Sequence, residues 1–315
     1  MASAPPARGV RLPWEALPAS ARTAVERHLG ALVTAAVTRP GGFSPGIAAE
    51  LELADTRKVF VKAVGPEPNA DSPAMHRREA GIAAALPAEA PVPRLLFSHE
   101  EQGWVVLVFE HVDGHEPAMP WRIGELERVL AALAELSEAL SPSPIELESF
   151  AEWFADQFHG WRTLAAQGGA AGLDPWAAEH LDQLAELEAG WVQASSGSTL
   201  LHCDVRADNV LLTADRVVLV DWPHACIGAA WIDLVGFLPS VAMQGGPPAW
   251  EVFERHPLGR AAPRESVLPV LAGVAGYFVH GAMLPPPPGI PTVREFQRAQ
   301  GVEALAWLRR SLGES

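Results

Sequence analysis

Cysteine, lysine and positive charge are scarce in this chain, and long apolar runs are missing. Two cysteines occur among 315 residues, Cys203 and Cys226, and they fit neither a disulfide framework nor a zinc site. A reducing cytoplasm is the compartment that usage suits. The N-terminal stretch Met1-Ala2-Ser3-Ala4-Pro5-Pro6-Ala7-Arg8 has neither the charged start nor the apolar core of a secretory signal. No segment approaches the ~20 apolar residues of a membrane helix. The formal net charge is −15. Residues 1–110 hold 11 basic and 12 acidic side chains, whereas residues 111–315 hold 12 and 26. So little positive surface excludes nucleic acid and anionic membranes as expected partners. A Gly-x-x-x-x-Gly-Lys-Ser/Thr loop is also absent.

What is present begins with size. The length suits two lobes or one large α/β unit, and 49% hydrophobic residues suffice for a full core. The most informative stretch runs from His202 to Asp221. Asp204 and Asn209 lie five residues apart on a polar loop, followed by two short apolar runs, 210–212 and 217–220, with a turn at Ala214-Asp215. A hairpin of this kind brings its ends together. Asn209 and Asp221 can then face one ion while Asp204 stands beside them. Hard oxygen ligands suit Mg²⁺, which takes one or two side chains plus phosphate oxygens. The remaining carboxylate is free to orient an attacking hydroxyl, and together these are the parts phosphoryl transfer requires.

The pattern His-x-Asp-x-x-x-x-Asn, then a hydrophobic strand and Asp, resembles the catalytic and metal-binding loops of the aminoglycoside phosphotransferase family, within the protein-kinase-like fold. The resemblance implies an α+β bilobal architecture: a five-stranded antiparallel sheet with a helix over residues 1–110, and a mainly helical lobe over 111–315. It also implies ATP, with GTP as the alternative donor, and Mg²⁺. Asp204 would be the catalytic base, Asn209 and Asp221 the Mg²⁺ ligands, and Arg206 a cation for the transferring phosphate. His202 would hold the loop by hydrogen bonds, and Asp233 would support it. Trp222-Pro223 stands where protein kinases commonly have Phe-Gly, a change this family tolerates.

The upstream sequence supplies the remaining parts in order. Strands are expected at 32–38, 47–54, 58–64, 94–98 and 104–109. Gly41-Gly42-Phe43-Ser44-Pro45-Gly46 forms a turn between the first two, and its glycines allow backbone N–H groups to approach phosphates. By resemblance Gly42, Ser44 and Gly46 cover the nucleotide. Only Lys58 and Lys62 are lysines, against 21 arginines. Lysine is nonetheless kept at position 62, where a compact ammonium meets α- and β-phosphates and a forked guanidinium does not substitute. Glu79, on a helix expected at 72–86, is placed to pair with it. The connector Glu110-His111-Val112-Asp113-Gly114 resembles the segment that presents main-chain groups to adenine, which assigns Glu110 and Val112 to nucleotide binding.

Helices are expected at 124–140, where Leu126, Val129, Leu130, Leu133, Leu136 and Leu140 recur at helical period, and at 149–166, 176–192 and 229–243. Pro285 to Pro288 makes a rigid loop between two final helices. The family's acceptor pocket lies among variable C-terminal helices, which makes Asp156, Trp153, Trp161, Trp250 and Glu254 candidate pocket residues. The expected function is ATP-dependent phosphorylation of a small-molecule hydroxyl, most naturally on an antibiotic, by a monomer or homodimer. The acidic C-terminal part would attract a cationic acceptor. Three other readings remain: a metabolic kinase for choline, homoserine or fructosamine, a silent nucleotide-binding partner protein, and a metal-dependent hydrolase using His202, Asp204, Asp221, His224 and Asp233.

Overall fold

Alternation along two strands decides which side of the sheet becomes the active side. In β3 (Gly46–Leu53) and β4 (Lys58–Val64), paired antiparallel from Ile47↔Ala63 to Glu52↔Lys58, side chains alternate between faces. Ile47, Ala49, Leu51, Leu53, Val59, Val61 and Ala63 pack with Ala21, Val25 and Leu29 of helix Ala19–Leu29. That N-terminal helix has no counterpart in the expected elements. The opposite face presents Phe60 and Lys62, beside Leu107 and Phe109 of β6 (Trp104–Glu110), through the registers Phe60↔Phe109 and Lys62↔Leu107. Helix Ser72–Ala85 covers part of this face through Ala80 and Ala83.

The computed structural model describes residues 4–88, 90–169 and 171–313; Met1 to Ser3, read above as part of the N-terminus, lie outside them. The main sheet runs β1 (Arg11–Leu12), β3, β4, β6, β5 (Leu95–Glu101), with β2 (Val33–Thr38) also on β3. It therefore has six strands rather than five. The extra one pairs parallel to β3, Arg11↔Gly46 and Leu12↔Ile47, so the sheet is not wholly antiparallel. A two-residue strand ended by Pro13 is too short to show any alternation in sequence.

The larger core is helical, built on helices Ile123–Ala139, Ile232–Met243, Arg264–Gly281 and Val293–Ser311, with Trp161, Trp191 and Phe237 fully buried. The Pro285 to Pro288 run does separate the last two helices. The helix expected over 149–166 is two, Phe150–Trp153 and Gly160–Ala166. Its break lets Gly160 sit against helix Arg264–Gly281, so closely that a Cβ there would lie 2.1 Å from the Gly276 carbonyl oxygen. Similarly, 176–192 is divided into Pro175–Glu179, Leu181–Ala189 and Trp191–Ala194. Among the described residues no helix is long and apolar enough to cross a membrane.

Two small sheets carry the His202–Asp221 stretch. Strand β7 (Thr199–Leu201) pairs antiparallel with β10 (Cys226–Gly228), and β8 (Val210–Leu212) forms a hairpin with β9 (Val217–Leu219). The connector after β6 bonds to this hairpin through His115 N–H to the Leu212 carbonyl (3.1 Å) and Leu212 N–H to the His115 carbonyl (2.8 Å).

Candidate active site

Three elements meet at Lys62. Its Nζ, on β4, lies 2.6 Å from Glu79 Oε1 on helix Ser72–Ala85 and 2.8 Å from Asp221 Oδ1, two residues past β9. The pairing expected from sequence is thus formed, with Asp221 as a second partner. Side-chain exposures of 15% for Lys62 and 4% for Glu79 place the pair out of bulk water, where an ion pair survives only with close geometry. Burial alone would lower Lys62, but Asp221 and Glu79 together raise it, so it stays an ammonium. Burial would raise Asp221, yet Lys62 with Arg206 and His224 holds it well below the usual carboxylate range. Asp221 adopts φ 72°, a left-handed conformation uncommon for a non-glycine residue and frequent at functional positions.

Asp204 sits on the neighbouring loop, held from three sides. Its backbone N–H donates to His202 Nδ1 (3.2 Å), and its carboxylate accepts from Arg206 Nη1 and from Asn209 Nδ2 (3.1 Å). Asn209 Nδ2 also donates to the Asp204 carbonyl (2.8 Å), which leaves the Asn209 Oδ1 to other partners. Arg206 is bidentate on Asp208 as well, at 3.1 and 3.0 Å. Burial raises Asp204, against the opposing charges of Arg206 and His224.

The loop's support is as expected. His202 is fully buried, and its Nε2–H donates to the Val220 carbonyl (3.0 Å) while Nδ1 accepts from Asp204. Burial pushes it down to about 4, so the ring is neutral. Asp233 accepts the backbone N–H of His202 (2.8 Å) and of Cys203 (2.7 Å). With both His202 nitrogens and both Asp233 oxygens engaged, the five-residue set of a metal hydrolase does not assemble. Among the described residues no cluster of three His, Cys, Asp or Glu could hold a metal. The pair Asn209 and Asp221 is a different donor set. Each offers a hard oxygen to the same cavity, which fits a Mg²⁺ whose other ligands are phosphate oxygens and water.

That cavity, about 1180 Å³, lies between the sheet and the hairpin and is lined by Gly42, Ser44, Lys62, Val112, Asn209 and Asp221 among others. Its volume exceeds what a drug-sized ligand requires. Glu110 lines it too, but its N–H is taken by the Arg94 carbonyl (3.0 Å) and its carboxylate by Arg94 Nε (2.8 Å). Gly46 does not line it. Its N–H is bonded to the Val10 carbonyl (2.9 Å), and its φ of 99° brings the backbone so near β4 that a Cβ would lie 2.5 Å from the Ala63 carbonyl oxygen. Gly46 is therefore needed for close strand approach, and its N–H is not free for phosphate.

Phe43, at the loop tip, was not singled out from sequence. Its ring packs edge-on against Phe296 (5.1 Å) and under the Arg206 guanidinium (5.0 Å), joining the glycine loop to helix Val293–Ser311 and to the Asp204 loop. None of the five candidate pocket residues lines the cavity. Trp161 is core, its Nε1–H bonded to the Ala272 carbonyl (2.9 Å). Trp153 stacks beneath Arg78 at 3.7 Å. Trp250 lies under Arg310 at 5.4 Å, and Asp156 and Glu254 are exposed.

A glycine loop, a lysine paired with carboxylates, and Asn209 and Asp221 on one cavity, with Asp204 bonded to Asn209, are the parts of a phosphotransferase of the protein-kinase-like fold. The chain belongs to the phosphotransferase enzyme family, whose model matches residues 42–266. Its fold is similar to that of an aminoglycoside phosphotransferase from Alicyclobacillus acidocaldarius subsp. acidocaldarius DSM 446, with TM-score 0.57, 15% identity and coverage of 89% of this chain and 92% of that one. A choline/ethanolamine kinase family protein from Mesorhizobium loti is similar at TM-score 0.58 and 17% identity, covering 93% and 94%. The amicoumacin kinase hAmiN, in complex with AMP-PNP, Ca²⁺ and Ami, is similar at TM-score 0.53 and 11% identity, covering 91% and 95%. At these identities the likeness is one of fold. No curated protein matches the sequence.

Proposed function

We propose that this phosphotransferase moves the γ-phosphoryl group of ATP to a hydroxyl of a small antibiotic. The observation that carries the donor chemistry is the convergence of Lys62, Asp221 and Asn209 on one cavity, with Asp204 bonded to Asn209. Lys62, fixed by Glu79, binds the α- and β-phosphates, and the Gly42 to Ser44 backbone covers them. Mg²⁺ held by Asn209 and Asp221 supplies charge neutralisation when bound. Asp204 orients the acceptor hydroxyl and takes its proton as the new O–P bond forms and the bond to the β-phosphate oxygen breaks, releasing ADP. Arg206, bonded to Asp204, stabilises charge on the transferring group. Positioning and electrostatics do most of this work.

The acceptor reading rests on the acidic balance of residues 111–315, which favours a cationic, hydroxylated antibiotic. ATP as donor and the two thiols both suit the cytoplasm. Incubation with ATP and Mg²⁺ and a panel of aminoglycosides, macrolides, peptide and nucleoside antibiotics and amino alcohols, read by mass spectrometry, tests it. A phosphate adduct on an antibiotic is expected. Adducts confined to amino alcohols would replace the antibiotic reading by a metabolic one.

A further inference from the structure

The family match begins at residue 42, and the segment before it adds something to the cavity. Residues 8–12 run alongside the glycine loop. Arg8 bridges to Gly42, Gly9 N–H donates to the Gly42 carbonyl (2.8 Å), and the Val10 carbonyl accepts from Gly46 (2.9 Å). The contact is tight enough that a Cβ on Gly9 would lie 2.6 Å from the Ser44 carbonyl oxygen. On its other side the arm is tied to the C-terminal segment, through Val10 N–H to the Gly289 carbonyl (2.9 Å) and Arg8 N–H to Thr292 Oγ1 (3.3 Å).

This arm delivers Arg11. Its Nη1 and Nη2 donate to the carbonyls of Ser44 and Gly41, and Nη2 lies 2.8 Å from where a Gly42 side chain would begin. The guanidinium therefore lies against the loop and lines the cavity with Lys62 and Asp221. Its Nε is buried without a hydrogen-bond partner. Among the described residues no carboxylate lies within ion-pair distance of Arg11; its two acceptors are neutral carbonyls. A guanidinium carries five donors and keeps its charge; this one is half-buried, with Asp221 and Asp208 acting on it only through space, and a partly desolvated cation with no direct counter-ion is costly. Lys62 and Arg206, by contrast, are already matched with carboxylates.

We infer that Arg11 is a phosphate-binding residue of this enzyme: it completes the nucleotide site from outside the family segment by giving its unmatched donors to the polyphosphate tail. The inference rests on the ATP reading above. A fork of planar donors suits phosphate oxygens.

The test compares binding of ATP, ADP and adenosine by calorimetry in the wild type, Arg11→Gln and Arg11→Lys. Arg11→Gln should weaken ATP and ADP by about 10-fold or more, the scale of a hydrogen bond to a charged group, and leave adenosine within about 2-fold of wild type, inside the scatter of such contacts. Arg11→Lys should recover part of the loss. Unchanged ATP affinity in Arg11→Gln, or an equal loss for ATP and adenosine, would overturn the inference, the second because it marks a purely structural role. A wild type that binds ATP no better than adenosine would overturn the ATP reading itself. Should Arg11→Gln not fold, phenylglyoxal labelling of the wild type decides. Labelling of Arg11 that ATP blocks and adenosine does not supports the role; labelling that ATP leaves unchanged, or none in free protein, overturns it.

Discussion

Asn209 holds Asp204 twice, once at the backbone carbonyl (2.8 Å) and once at the carboxylate (3.1 Å). The link ties Asp204, the proposed base, to Asn209, a proposed metal ligand, so an isosteric change at Asp204 should separate proton transfer from nucleotide binding. Asp204→Asn keeps an amide oxygen for Asn209 and removes the proton acceptor. Turnover should fall by about 10²- to 10⁴-fold, the usual share of a general base, with ATP affinity close to wild type. Steady-state kinetics alongside calorimetry checks it, and near-normal turnover would remove Asp204 from the mechanism.

Lys62 neutralises two carboxylates at once, which makes its loss a matter of stability as well as chemistry. Lys62→Met leaves Glu79 and Asp221 unpaired in a mostly buried site. Breaking such a pair on one side costs about 3 kcal/mol or more. We expect a lower denaturation midpoint and lost ATP binding in Lys62→Met, with stability partly recovered in the double variant Lys62→Met/Glu79→Gln, where only Asp221 still lacks its partner, and activity still absent. A single variant as stable as wild type would show that the pair is better hydrated than its burial indicates.

How much of this was legible in the sequence follows from the range of each interaction. Asn209 and Asp221 flank one local hairpin and Asp204 lies five residues before Asn209, so turn residues and two short apolar runs were enough to juxtapose them. Lys62 and Glu79 required a helix packed on a sheet face; strand alternation and the near-absence of lysine marked Lys62, and the family resemblance supplied Glu79 as its partner. Arg11 and Phe43 were not legible. One acts from a two-residue strand whose partner is 35 positions away, and the other through Phe296 on the last helix. Neither relation leaves a periodic trace. The aromatic candidates show the same limit: Trp161 and Trp250 look alike in sequence, and only packing reveals that the first fills the core.

Two buried groups beneath the catalytic loop titrate with opposite consequences. His202 falls from 6.5 to about 4 in the folded chain, because burial disfavours its cation. The folded state then binds fewer protons than the unfolded one, so this stability is present above pH 6.5 and lost as pH falls toward 4. The full shift corresponds to about 3 kcal/mol, and His76, also lowered to about 4 by burial, acts with the same sign. Asp233 is pushed up from 3.8 to about 6 by burial, against two backbone hydrogen bonds. Its contribution is present below pH 3.8 and lost as pH rises through 6, which partly offsets the histidines. Urea denaturation at pH 7 and pH 5 should therefore show a steeper acid loss in Asp233→Asn than in wild type, and a shallower one in His202→Asn. Identical slopes in all three proteins would refute the assignment.

The two cysteines, which fitted no framework in sequence, are neighbours in space. β7 and β10 pair Leu201 with Cys226, and Cys203 lies just beyond, with its Sγ 3.1 Å from that of Cys226. Both are free thiols, Cys226 fully buried. Burial, then the contact with Cys226, raises the Cys203 thiol well above its ordinary value. A thiolate is the reactive form, so adjacency to Asp204 does not make Cys203 a nucleophile. Iodoacetamide at pH 8 should leave both cysteines unmodified in the native enzyme and alkylate both in urea, with activity unchanged by the native treatment. Rapid native alkylation of Cys203 with loss of turnover would instead mean that the loop opens far enough to ionise the thiol, and that Asp204 is as exposed as its neighbour.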